Sequence, residues 1–209
     1  MRSRRAGDRR ARGDRRVAKL TRAPGNDDGL VRAHATLTRG ARFLGAGLSA
    51  QAGAAPAAIG GRHRAKVIGN GLRELDRFLN VLIDEASLRI GLPVLAGQRN
   101  TANKLRAFRA AGGGACAADE ARLRALGRSR DCLFHCGGVV TRADARGGTR
   151  MTVGWADPDT PLRSFAIGEE LVLTAGDLAG VCAFYETLAA DVVACSARPL
   201  TELRTARRG

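Results

Sequence analysis

Between Ile68 and Ile90, the apolar residues Ile68, Leu72, Leu75, Leu79, Leu82, Ala86 and Ile90 recur at steps of three and four, over about six turns of a helix. A strand cannot bury such a series on one face, because its side chains alternate with period two. The spacing predicts an amphipathic helix over residues 62–90, with Arg73, Glu74, Asp76, Arg77, Asp84 and Glu85 largely off the apolar stripe. Gly91 and Pro93 supply its stop. The material available to cover that stripe points to helices as well. Hydrophobic residues make up 44% of the 209, but aromatic residues only 4%, so the core is built mostly from Leu, Val, Ile and Ala.

A second helix is expected over residues 101–111, using Leu105 and Phe108, with Gly112-Gly113-Gly114 ending it. A third starts near Asp119, a good cap residue, and runs to about Cys136, before Gly137-Gly138. Two β-like hairpins follow. One pairs residues 139–142 with 151–155 around Gly147-Gly148; the other pairs 164–167 with 171–173 around Gly168-Glu169. Thr174 and Asp177 resemble a capping box with Asp in the acidic position. The helix it opens carries Leu178, Val181, Cys182, Tyr185, Leu188, Ala189 and Val192 on one side. Trp155 and Tyr185 are read as packing residues. The expected fold is mainly α, a helical bundle with a small β-hairpin insert after the third helix.

The N-terminal part reads differently. Arg2, Arg4, Arg5, Arg9, Arg10, Arg12, Arg15 and Arg16 alternate with Gly, Ala and Asp, and no periodic face exists to bury, so disorder is expected there. Residues 43–61 have the Gly/Ala composition of a linker. Between the two, residues 30–44 admit a short helix. The chain thus divides into a basic arm and linker over 1–61, a helical domain over 62–198 and a frayed basic tail over 199–209.

The formal charge of +15 is unevenly spread: residues 1–64 hold 15 basic and 4 acidic side chains, and the remaining 145 hold 20 and 16. Such an arm attracts polyanions, nucleic acid being the usual one, and its eight arginines are the expected contacts. A GC-rich coding sequence would also favour arginine, which accounts for 32 of the 35 basic residues. The five cysteines are irregularly spaced, as free thiols in a reducing compartment would be. No signal-peptide core follows Met1 and no uninterrupted apolar run approaches the roughly 18 residues of a membrane span, so a cytoplasmic protein with no membrane partner is expected.

The third helix holds an anomaly. Leu123, Leu126, Arg130 and Leu133 fall at steps of three and four, so Arg130 lies on the apolar stripe. A guanidinium there needs partners, and a buried carboxylate or carbonyls would account for it structurally. Asp131 and His135 are four residues apart, which lets the carboxylate orient the imidazole; a histidine near a helix end also commonly serves as a cap.

The run Arg130-Asp131-Cys132-Leu133-Phe134-His135 resembles the HEPN family, whose ribonuclease branch carries Arg, a polar residue, three variable residues and His near the end of an internal helix. The resemblance covers about residues 62–195, including the long first and last helices; the β insert and the arm depart from it. It implies a helical bundle acting as a homodimer, with no cofactor and no metal, that cleaves RNA at a cleft between two protomers. Arg130 and His135 would be catalytic and Asp131 would orient His135. It also implies a toxin or host-defence component with an antitoxin protein as partner. On one regular helix, positions five apart differ by about 140° of rotation, so Arg130 and His135 meet only across two copies or at a distorted helix end. The alternative is a catalytically silent HEPN-like module that binds nucleic acid or protein.

Rival chemistries have less in the sequence. Cys132, His135 and Cys136 are potential zinc ligands, but no distant pair is spaced to complete a familiar site. Cys132 with His135 as thiol and base lacks any mark of an oxyanion pocket. The glycine clusters at 112–114, 137–138 and 147–148 match no phosphate-loop pattern.

Overall fold

The computed structural model describes residues 26–46, 59–92, 100–111, 116–155 and 161–197. Its elements are α1 (Asn26–Ala46), α2 (Arg62–Arg89), α3 (Thr101–Ala111), α4 (Ala117–Cys136), β1 (Arg150–Thr152), β2 (Ser164–Ala166) and α5 (Ala175–Ala197). Among the described residues the chain is mainly helical, with one small antiparallel sheet after α4, as the sequence pattern predicts. Every member of the stripe from Ile68 to Ile90 is buried, and α2 is the axis on which α1, α3, α4 and α5 pack.

The N-terminal side departs from expectation. Residues 1–61 were expected to stand outside the packed domain, yet α1 places Leu30, Ala33, Leu37 and Ala41 in the core, at steps of three and four, against α2 and α5. The domain therefore begins before Arg62. Glycines flanking the stretch that reads as linker are where helices touch. A Cβ on Gly40 would lie 3.0 Å from the Phe78 ring, and one on Gly71 would lie 2.7 Å from Leu44 Cδ1. The arginines at 2, 4, 5, 9, 10, 12, 15 and 16 and the tail 199–209 lie outside the described residues.

The ends of the helices follow local chemistry. Gly137 closes α4 in the left-handed conformation (φ 64°), with its N–H directed to the Cys132 carbonyl. Asp119 is in the first turn of α4 rather than at its cap, a position taken by Cys116, and its carboxylate binds Arg109 of α3 at 2.6 Å. At α5 the capping box forms reciprocally: Thr174 N donates to Asp177 Oδ2 at 2.8 Å, and Asp177 N donates to Thr174 Oγ1 at 3.1 Å. By length and composition α5 could cross a membrane; Asp177, Glu186 and Asp191 interrupt its apolar run. Leu178, Val181, Tyr185, Leu188 and Val192 of α5 are buried in the core.

The β insert pairs differently from the two expected hairpins. β1 pairs with β2, Met151 opposite Phe165, and residue 139 reaches residue 170 only through an isolated bridge. Burial selects this register. Met151, Val153 and Trp155 all turn inward, and Trp155 donates its indole N–H to the Val172 carbonyl at 3.1 Å. Trp155 and Tyr185 are packing residues, each at most 1% exposed.

Candidate functional site

The α2–α4 contact positions the residues singled out by sequence. The two helices approach through Gly69: a Cβ there would lie 3.0 Å from Phe134 N and 3.2 Å from Arg130 O. At α4's end, the Arg62 stem lies against Gly137, 3.2 Å from where a Cβ would sit. Arg62 near Gly137 and Asp76 near Arg130 show that the helices run antiparallel.

Arg130 is half-buried in this seam. Its Nε donates to Asp131 Oδ1 at 2.9 Å and its Nη1 donates to Asp76 Oδ2 at 3.2 Å. The guanidinium on the apolar stripe thus has the carboxylate partner that its position demands, and a second one beside it. Burial alone would lower the Arg130 pKa, but the hydrogen bond and charge of Asp131 and the charge of Asp76 outweigh it and raise the pKa. Asp76 responds in the opposite sense. Burial raises its pKa, and the Thr101 hydrogen bond and the Arg130 charge offset this only in part. Tyr185 of α5 is wholly buried near both charges, and burial raises its pKa well above the ordinary value.

The pair continues into a polar chain across three helices. Thr101, at the start of α3, hydrogen-bonds to Asp76, and Asn80 Nδ2 donates to Thr101 Oγ1 at 2.5 Å. Lys104 Nζ then donates to Asn80 Oδ1 at 2.7 Å and to Asp84 Oδ2 at 2.6 Å, with only 4% of the residue exposed. Sequence reading missed Asp76, Thr101 and Lys104. One signal was available: Asp76 is four residues after Leu72 and three before Leu79, so it borders the apolar stripe.

His135 stands apart. It is exposed, and its ring meets the Phe134 ring edge-on at 4.9 Å. Asp131, expected to orient His135, directs its carboxylate to Arg130 instead. Within one chain, therefore, Arg130 and Asp131 come together and His135 does not join them, in keeping with the rotation between positions five apart on a regular helix. Cys132 is buried and donates to the Val139 carbonyl at 3.2 Å, while Cys136 shares a hydrogen bond with Thr141. Burial, with a smaller effect of Cys136, pushes the Cys132 thiol up to about 11, which opposes a thiolate role. Among the described residues, no three metal-ligating side chains gather.

Comparison with protein-family models, curated proteins and solved structures finds no match to the chain.

Proposed function

We propose that the chain is a HEPN-like endoribonuclease that works without a metal, acting as a toxin or host-defence component restrained by an antitoxin protein. The observation carrying this reading is an exposed imidazole and a carboxylate-held guanidinium five residues apart at the C-terminal end of one helix. In such a reaction the ribose 2′-oxygen attacks the adjacent phosphorus and the bond to the 5′-oxygen breaks. His135 would carry the proton moved between these oxygens, and Arg130 would neutralise the phosphate. Because the two diverge on α4, the working site needs two copies, each supplying one of them.

The test is cleavage of an RNA panel by the full chain and by His135→Ala and Arg130→Ala, with thermal melts to verify folding. Each variant is expected to lose about 10²–10⁴ in rate. Cleavage in EDTA that leaves a cyclic phosphate and spares DNA supports the proposal. Wild-type inactivity on the whole panel, or normal cleavage by both variants, overturns it. A second reading, a silent module that binds nucleic acid, is favoured by one feature: two carboxylates already occupy Arg130, which weakens its capacity to clamp a phosphate.

A further inference from the structure

We infer that Cys132 and Cys136 are a redox-responsive dithiol, which closes into a disulfide within the chain when a hydroperoxide oxidises Cys136. The bond brackets His135, so on the ribonuclease reading above it is a control of that site; its formation does not depend on that reading. The two cysteines are four residues apart in the last turn of α4. On a regular helix this separates their Cα atoms by about 6.2 Å, within the roughly 4.4–6.8 Å that a disulfide spans.

Three observations single out this pair among the five free cysteines. First, both sulfurs face the segment that enters the β insert. Cys132 Sγ donates to the Val139 carbonyl at 3.2 Å, and Cys136 Sγ shares a hydrogen bond with Thr141 Oγ1 at 3.2 Å. Cys136 also raises the Cys132 pKa, whereas the neighbour that acts on Cys182 is Glu186 and not a thiol. Along the helix axes, Cys182 and Cys195 are about 20 Å apart and Cys116 and Cys132 about 24 Å. Second, Gly137 (φ 64°) and Gly138 (φ 96°) follow directly, and both direct their N–H to the Cys132 carbonyl. Two glycines give the end of α4 the backbone freedom to draw the sulfurs together. Third, access is unequal: Cys132 is buried and Cys136 half-buried, so an oxidant in solution reaches Cys136 first.

The chemistry takes two steps. The Cys136 sulfur attacks the peroxide, the O–O bond breaks, one oxygen stays as a sulfenic acid and the other leaves as an alcohol, or as water from hydrogen peroxide. The Cys132 sulfur then attacks the Cys136 sulfur, the S–O bond breaks, and that oxygen departs with the Cys132 proton as water. Two thiols lose two electrons and one peroxide gains them. Burial makes Cys132 the poorer first target and leaves it the resolving thiol. Closure consumes the S–H that the Val139 carbonyl accepts and draws Cys136 from Thr141, so it releases the entering segment of the β insert from α4.

The experiment treats the reduced full chain with hydrogen peroxide at about pH 8.5, where thiolate is more available, then blocks remaining thiols with N-ethylmaleimide. Trypsin cuts after Arg130 and Arg142 and so delivers both cysteines in one segment, 131–142, for mass spectrometry. That segment is expected to lose two hydrogens and take up no maleimide, and dithiothreitol is expected to reverse this. Cys132→Ser is expected to stall at a Cys136 sulfenic acid that dimedone captures. Cys116→Ala/Cys182→Ala/Cys195→Ala is expected to close like wild type. Hydrogen exchange of the 139–142 amides is expected to run about tenfold faster in the oxidised chain, since two hydrogen bonds are given up. If both cysteines of the wild-type segment still take maleimide, or Cys136 links to a cysteine outside it, the assignment is overturned. Unchanged exchange after closure overturns the release of the insert. Neither readout involves RNA, so these results stand or fall separately from the ribonuclease reading.

Discussion

Arg130 of α4 reaches across to Asp76 of α2 at 3.2 Å, and that contact is one end of a hydrogen-bonded chain running through Thr101 and Asn80 to Lys104 and Asp84. Three helices whose apolar faces alone would permit sliding are held in one register by these directional bonds. Arg130 thus has a structural task as well as its proposed chemical one. Its substitution tests both at once, which is why melts accompany the activity assay.

Asp76 offers a pH-dependent readout of the seam. Burial raises its pKa in the folded chain, so the folded state takes up this proton before the unfolded state does as pH falls. The group's contribution to stability therefore rises on acidification through its folded pKa and declines above it. Asp76→Asn lacks the titration. In melts as pH falls from 7 toward the ordinary aspartate value of about 4, the wild type is expected to gain Tm relative to Asp76→Asn. If the wild type instead loses ground, the attraction of Arg130 exceeds the burial penalty.

Lys104 is the most enclosed cation among the described residues, and its ammonium is matched to Asn80 and Asp84. Lys104→Ala is expected to cost about 2–3 kcal/mol in urea unfolding. This is below the ~3–5 kcal/mol for breaking a fully buried pair, because about a third of the Asp84 side chain remains in water. Lys104→Met with Asp84→Asn removes the stranded carboxylate and is expected to recover part of that loss. A double variant no better than Lys104→Met alone would show that packing, not charge, is what Lys104 contributes.

The periodic elements were legible in the sequence and the long-range partners were not. α2 could be read from Ile68 to Ile90 because seven apolar residues hold one phase, and the cap of α5 because Thr174 and Asp177 are three residues apart. α1 was underestimated because Gly29 and Gly40 lower helix propensity while allowing close approach to α2, and only tertiary packing reveals that compensation. The partner of β1 is β2 and not residues 139–142, so the turn residues within each expected hairpin did not decide it. Arg130 signalled that a buried acceptor existed; nothing local identified Asp76, which lies 54 residues away.

The packing of α1 carries its own prediction. A chain shortened to start at Arg62 loses the buried Leu30 and Leu37, each worth roughly 1.5–3 kcal/mol, and uncovers the α2 surface around Gly71 and Phe78. Against a typical domain stability of about 5–15 kcal/mol, that loss is severe. Shortening to Asn26 retains α1. The Arg62 form is expected to melt broadly or at much lower temperature, and the Asn26 form to unfold cooperatively near the full chain. Identical melts for the two forms would mean that α1 contributes little to the core.

The divergence of Arg130 and His135 on α4 leads to a test of whether the proposed site is shared. If each cleft takes Arg130 from one copy and His135 from the other, neither Arg130→Ala nor His135→Ala alone can form a complete cleft. In a mixed dimer of the two variants, one cleft receives the intact Arg130 of the His135→Ala copy and the intact His135 of the Arg130→Ala copy. The other cleft receives neither. With random exchange, half of the dimers are mixed and half of their clefts are complete, so equimolar mixing is expected to restore about a quarter of wild-type cleavage. The restored activity should fall on dilution below the dimer dissociation constant, read in parallel by sedimentation. A site formed within one chain predicts no restoration at any concentration. A mixture that remains inactive although subunits demonstrably exchange would therefore rule out the shared cleft, even if each single variant had already lost activity.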